Sequence, residues 1–136
     1  MIRRQFRFRR LSPAAARRIA DLSLGYDRHV SSVCGDDIVS LAEHFIRVGQ
    51  NPVVTEISSW SYDEIFELEV LVLFGRDYKI YGKGNSIDDT YTDLECYEGR
   101  PDGKNIAIEY VSGKPLHEYI PTALTLLTKQ PWRWSA

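Results

Sequence analysis

Apolar and polar side chains alternate at the start of the chain. Ile2, Phe6 and Phe8 fall on one face of an extended segment, and Arg3, Gln5, Arg7 and Arg9 fall on the other. Period two predicts a half-buried strand with a charged outer face. Ser12-Pro13 then reads as an N-cap followed by proline at the first helical position. Ala15, Ile19 and Leu22 form the stripe of a helix that Gly25 is suited to end. Asp36 or Asp37 caps a second helix with the stripe Ile38, Leu41, Ala42, Phe45 and Val48, closed by Gly49. Asn51-Pro52 reads as a breaker.

From Val53 the pattern again follows period two, and strands are expected at about 53–60, 64–75, 77–83, 90–97 and 104–111. Gly75-Arg76, the Gly82–Ser86 loop and residues 99–104 supply the turns. Short turns between successive strands imply an antiparallel meander. Pro115 and Pro121 each suit a helix start, and Ile120, Leu124 and Leu127 share a helical stripe. The expected fold class is α+β. Two N-terminal helices pack on a five- or six-stranded, mainly antiparallel meander sheet, with a C-terminal helix, in a single domain over residues 1–136.

One strand departs from clean alternation. In EIFELEVLVLFG, Leu71 and Leu73 point one way while Val70, Val72 and Phe74 point the other. Both faces of such an element must be covered. One cover is the helix pair; the other is expected to be the C-terminal segment, a curled sheet or a second copy of the chain, which makes a homodimer an expectation.

Composition changes this picture little: 136 residues, 43% hydrophobic and 26% charged, suit one globular domain. No apolar run approaches the roughly 18 residues of a membrane span. The basic opening lacks the apolar run of a signal peptide, so a cytoplasmic protein is expected. Cys34 and Cys96 lie far apart with no zinc-ligand spacing, and read as reduced, buried thiols.

Charge matters more. Residues 1–18 carry seven arginines and no acid, while the rest of the chain has a net charge of −9. Such asymmetry fits either a basic tail for an anionic partner or a segment matched to acidic groups of the same fold. The phased phenylalanines favour a structural edge. Nucleic-acid binding through Arg3, Arg4, Arg7, Arg9 and Arg10 is the minor reading for a domain with a pI near 5.9.

Candidate chemistry is sparse. On strand spacing Tyr91, Asp93, Glu95 and Tyr97 face outward, with Asp88 and Asp89 just before and Glu109 on the next strand. This acidic, tyrosine-rich face suits a basic protein partner. His29, Cys34 and Asp36 sit close in sequence, but nothing there sets a nucleophile against a base. Glu67 or Glu69 with Asp77 and Lys79 loosely matches an acid plus D-x-K metal-nuclease pattern. Gly82 to Asn85 lacks the second half of a phosphate loop and reads as a turn. Trp132 and Trp134 are expected to cover the core or an edge. No catalytic residue, metal or cofactor is assigned. The leading expectation is a small interaction module of inhibitor, immunity or adaptor type, contacting its partner through Asp88, Asp89, Tyr91, Asp93, Glu95, Tyr97 and Glu109. The alternatives are a small-molecule pocket between helices and sheet, and the arginine-mediated nucleic-acid contact.

Overall fold

The computed structural model describes residues 5–34, 51–98 and 103–135. Among them the fold is all-α. The described residues form six helices: α1 (Pro13–Cys34), α2 (Pro52–Ile57), α3 (Tyr62–Tyr81), α4 (Ile87–Glu98), α5 (Gly103–Ser112) and α6 (Leu116–Leu127), followed by a 3₁₀ turn at Pro131–Arg133. No strand or sheet occurs among the described residues, so the expected meander is overturned: α2 to α5 stand where the sequence suggested strands. The first helix also runs past Gly25 to Cys34. The second expected helix, at 36–49, lies outside the described residues.

Local chemistry explains why these segments are helical. Ser61 begins α3 with a capping box: its Oγ accepts the Glu64 N–H at 3.3 Å, and the Glu64 carboxylate accepts the Ser61 N–H. Gly82, at φ 71°, ends the same helix in the left-handed conformation. Asn51 is a cap as well as a breaker, because its Oδ1 accepts the Val53 N–H at 3.0 Å and Pro52 takes the first turn of α2. The Ser86 Oγ accepts the Asp89 N–H at 3.2 Å at the start of α4.

Helix α3 is the centre of the molecule, with α4, α5 and α6 packed around it, and α1 lies on α6. All eight residues from Ile65 to Val72 are buried, as are Phe74 and Gly75. Apart from Glu67 and Glu69 this run is apolar on every face and has no stripe, which is the pattern of a helix enclosed on every side. The requirement that both faces of EIFELEVLVLFG be covered is therefore met within one chain. The apolar run gives no reason to expect a homodimer.

The N-terminal stretch keeps its alternation without joining a sheet. Phe6, Phe8 and Leu11 are buried, while Gln5, Arg7, Arg9 and Arg10 are exposed. Phe8 makes a single parallel bridge with Trp134: the Phe8 N–H donates to the Arg133 carbonyl at 2.6 Å, and the Ser135 N–H donates to the Phe8 carbonyl at 3.0 Å. The Phe8 and Trp134 rings stack with centroids 4.1 Å apart. Trp134 thus covers the core, while Trp132 is exposed.

Candidate anion-binding cleft

Segment 5–11 crosses the first turns of α3 and the face of α4. Its backbone is fixed from two sides. From α3, Glu67 Oε1 accepts the N–H groups of Arg10 at 3.0 Å and Leu11 at 3.1 Å. From α4, the Asp88 carboxylate accepts the Phe6 N–H. Phe6 stacks on Tyr91 at 4.7 Å, and Tyr91 meets the edge of Phe66 at 5.9 Å.

Between the segment and these helices lies a cleft of about 600 Å³. It is lined by Gln5, Arg7, Arg9 and Arg10, by the aromatic residues Phe6, Phe66 and Tyr91, and by the acids Asp63 and Glu67. Arg7 and Arg9 project on the same side of an extended backbone, roughly 7 Å apart along the chain. Arg10 meets Asp63 only at 3.9 Å, and both side chains are half exposed, so this ion pair contributes little.

Glu67 is the buried acid of the site. Burial pushes its carboxyl above the ordinary value, against the backbone N–H bonds from Arg10, Leu11 and Arg9 and the charge of Arg10, which pull it down. Its first role is architectural: it holds residues 9–11 so that the arginines stand at the rim of the cleft.

The seven residues assigned to an acidic sheet face do not share one. Asp88 turns inward to Arg133, and Tyr91 packs on Phe6. Asp89 is half-buried in the first turn of α4, and Asp93 and Glu95 are exposed further along it. Tyr97 belongs to the last turn of α4, and its side chain lies outside the described residues. Glu109 is exposed on a different helix, α5. The interaction module built on that sheet face, and the pocket between helices and sheet, fall with the sheet. The positions between the outward-facing ones, Thr92, Leu94 and Cys96, would face inward on a strand; on α4 Leu94 is buried, while Thr92 and Cys96 are exposed.

The other motifs resolve as follows. Glu67, Glu69 and Asp77 lie on the single helix α3, and Glu67 and Asp77 are about 15 Å apart along its axis, too far to share one ion. No group of three or more metal-ligating side chains occurs among the described residues. His29 is exposed on α1, and the Cys34 side chain and Asp36 lie outside the described residues.

Sequence reasoning missed two features. One is the Glu67 contact with residues 10 and 11, which nothing in a linear pattern announces. The other joins Ser23 to His117 across 94 residues: Ser23 Oγ lies 3.2 Å from His117 Nδ1 and accepts the His117 backbone N–H at 3.3 Å. Asp27 Oδ2 stands 3.8 Å from His117 Nε2. These are the residue types of acyl-transfer triads, but the serine is set against the opposite ring nitrogen from the one such a triad uses. Its oxygen is also occupied by a backbone N–H. Pro115 at the head of α6 offers no side-chain cap, and Ser23 supplies that acceptor from α1.

The chain matches no protein-family model, no curated protein and no solved structure.

Proposed function

We propose that this chain is a ligand-binding domain whose arginine cleft takes a small anionic molecule with an apolar or planar part. The observation that carries the reading is that Arg7, Arg9 and Arg10 all line one cleft of about 600 Å³ together with Phe6, Phe66 and Tyr91. Concave sites of this size, with a few placed polar groups against aromatic walls, are where small ligands bind. Guanidinium groups suit carboxylate and phosphate because their planar fork donates two parallel hydrogen bonds.

A small anion fits better than an extended polyanion. Outside the first 18 residues the chain carries a net charge of −9, which repels a long phosphate backbone. The carboxylates of Asp63 and Glu67 also limit how much negative charge the cleft accepts. No helix among the described residues is long and apolar enough to cross a membrane, so a dissolved ligand is the simpler source.

The test is calorimetric titration and thermal shift with inorganic phosphate, citrate and nucleoside monophosphates at fixed ionic strength. Binding should raise the unfolding temperature by mass action. Arg7→Ala with Arg9→Ala should weaken it by about tenfold or more, as expected for lost charge-assisted hydrogen bonds. If no anion stabilises the protein beyond matched chloride, the cleft is not an anion site. Tight, steeply salt-dependent binding of an oligonucleotide in place of small anions would replace this reading.

A further inference from the structure

Among the described residues, the two acids that line the arginine cleft differ sharply in burial. Glu67 keeps 8% of its surface exposed, whereas the Asp63 side chain is 52% exposed. We propose that the cleft binds its anion together with one proton, taken from solvent by the Glu67 carboxylate, so that the ligand is held in acid and released as pH rises; this deepens the anion reading and rests on it.

The position of Glu67 carries the inference. Its Oε1 accepts the N–H groups of Arg10 at 3.0 Å and Leu11 at 3.1 Å, which fixes the carboxylate against the segment that bears the arginines. A cleft of about 600 Å³ is on the order of 10 Å across, so an anion anywhere in it lies within about one Debye length of Glu67. A negative charge brought that close disfavours the ionised form of a buried carboxylate, and protonation removes the repulsion. Arg10 adds to the effect. Its charge favours the ionised Glu67, and an anion paired with that guanidinium takes the support away. Burial already raises the Glu67 carboxyl above its ordinary value.

Taking up the proton does not dismantle the site. A protonated carboxyl keeps acceptor capacity, so with the proton on Oε2 the Oε1 atom still accepts both N–H groups. The arginines stay charged throughout. Anion and proton therefore favour each other's binding by the same factor.

The other charges around Glu67 come from three sides. Segment 5–11 brings Arg7, Arg9 and Arg10, and the first turn of α3 brings Asp63. From α4 come Tyr91 and Asp88, the latter already held by Arg133 and the Phe6 N–H. None of the described residues lining the cleft belongs to α1, α5 or α6. Asp63 is the competing acceptor for the proton, but water around its half-exposed side chain screens it from a bound anion.

The experiment titrates the protein with benzenesulfonate and with sulfate, anions whose own charge is constant between about pH 4 and pH 8, at fixed ionic strength. Calorimetry in two cationic buffers of different ionisation enthalpy counts the protons taken up. The wild type should take up a fraction of a proton per anion, up to one. Its affinity should fall by about fivefold or more as pH rises, at no more than about tenfold per pH unit. Glu67→Gln should bind the anion without proton uptake, and Asp63→Asn should keep the uptake. Circular dichroism checks that each variant is folded, and the wild type with Asp63→Asn decides the matter if Glu67→Gln is not. The proposal is overturned, with the anion reading intact, if the wild type binds without taking up a proton, if uptake survives in folded Glu67→Gln, or if folded Asp63→Asn loses it. If neither anion binds at any pH, the anion reading falls and takes the proton coupling with it.

Discussion

Arg133 holds Asp88 with both ends of its guanidinium, Nη1 to Oδ1 at 2.9 Å and Nη2 to Oδ2 at 3.0 Å. The arginine is buried, and its Nη1 also donates to the Phe6 carbonyl at 2.9 Å. Asp88 accepts the Phe6 N–H and lies in the first turn of α4, where the helix dipole favours a negative charge. One ion pair therefore binds three separate parts of the chain: residue 6, the head of α4 and the turn at 131–133. It also sets the height of segment 5–11, and with it the position of Arg7 and Arg9 at the cleft.

Breaking this pair should be costly because the partner left behind keeps its desolvation penalty. Arg133→Met is expected to destabilise the protein by about 3 kcal/mol in urea unfolding. Arg133→Lys should recover less than half of that, since a point charge cannot fork onto two oxygens. A double-mutant cycle with Asp88→Asn should give a coupling energy of about 1–3 kcal/mol. A coupling near zero would mean that the pair does not hold the segments together.

Two glycines should respond in opposite directions to the same change. A Cβ on Gly75 would lie 2.0 Å from the Tyr119 carbonyl oxygen and 3.1 Å from the Ala123 Cβ, so α3 and α6 approach closely there. Gly75→Ala should therefore force the helices apart, at a cost of about 1–3 kcal/mol. A Cβ on Gly25, inside α1, meets nothing within 4 Å. Gly25→Ala should stabilise by about 0.5–1 kcal/mol, because alanine loses less backbone entropy in a helix. Thermal unfolding of the two variants checks both signs.

The cross-cap at α6 makes a third prediction. Ser23→Ala removes the acceptor for the His117 N–H, and Pro115 offers no replacement. The loss should be about 1–2 kcal/mol, the usual range for a missing cap. Native-state hydrogen exchange should show the first turn of α6 opening more readily while the centre of α3 is unchanged. Equal protection in α6 would show that Ser23 does not cap it.

The alternation of residues 5–9 was legible, because a half-buried extended segment has the same period whether its neighbour is a strand or a helix. The helix beginning at Ser12-Pro13 was legible for the same local reason. The rest failed on α3. A run such as Val70 to Phe74 does not distinguish a strand from a helix buried on all sides by period alone. Two signals in the sequence favoured the helix: Ser61 and Glu64 at capping-box spacing, and Gly82 at its far end. Period two across α3 implies period two for α4 and α5 as well, and the acidic face exists only on such a pleat. Arg7 and Arg9 were seen as the outer face, but the cleft beneath them was not, since it depends on Glu67 reaching residues 57 and 56 positions away.

Glu67 ties stability to pH, and the sign follows from its environment. Burial holds its carboxyl above the ordinary value of about 4.5, so the folded protein keeps a proton that the unfolded chain releases. Through the window from 4.5 up to that raised value, its contribution to stability falls as pH rises. Glu67→Gln removes the titration while retaining an oxygen to accept the Arg10 and Leu11 N–H groups. The variant should match the wild type below pH 4.5 and gain on it as pH rises through the window. Subtracting the two urea-unfolding profiles cancels the other carboxylates. Glu67→Ala leaves both N–H groups without this acceptor and should lose about 1–3 kcal/mol at every pH. If the difference between wild type and Glu67→Gln stays flat from pH 4 to pH 8, Glu67 is not the buried acid that positions the arginine segment.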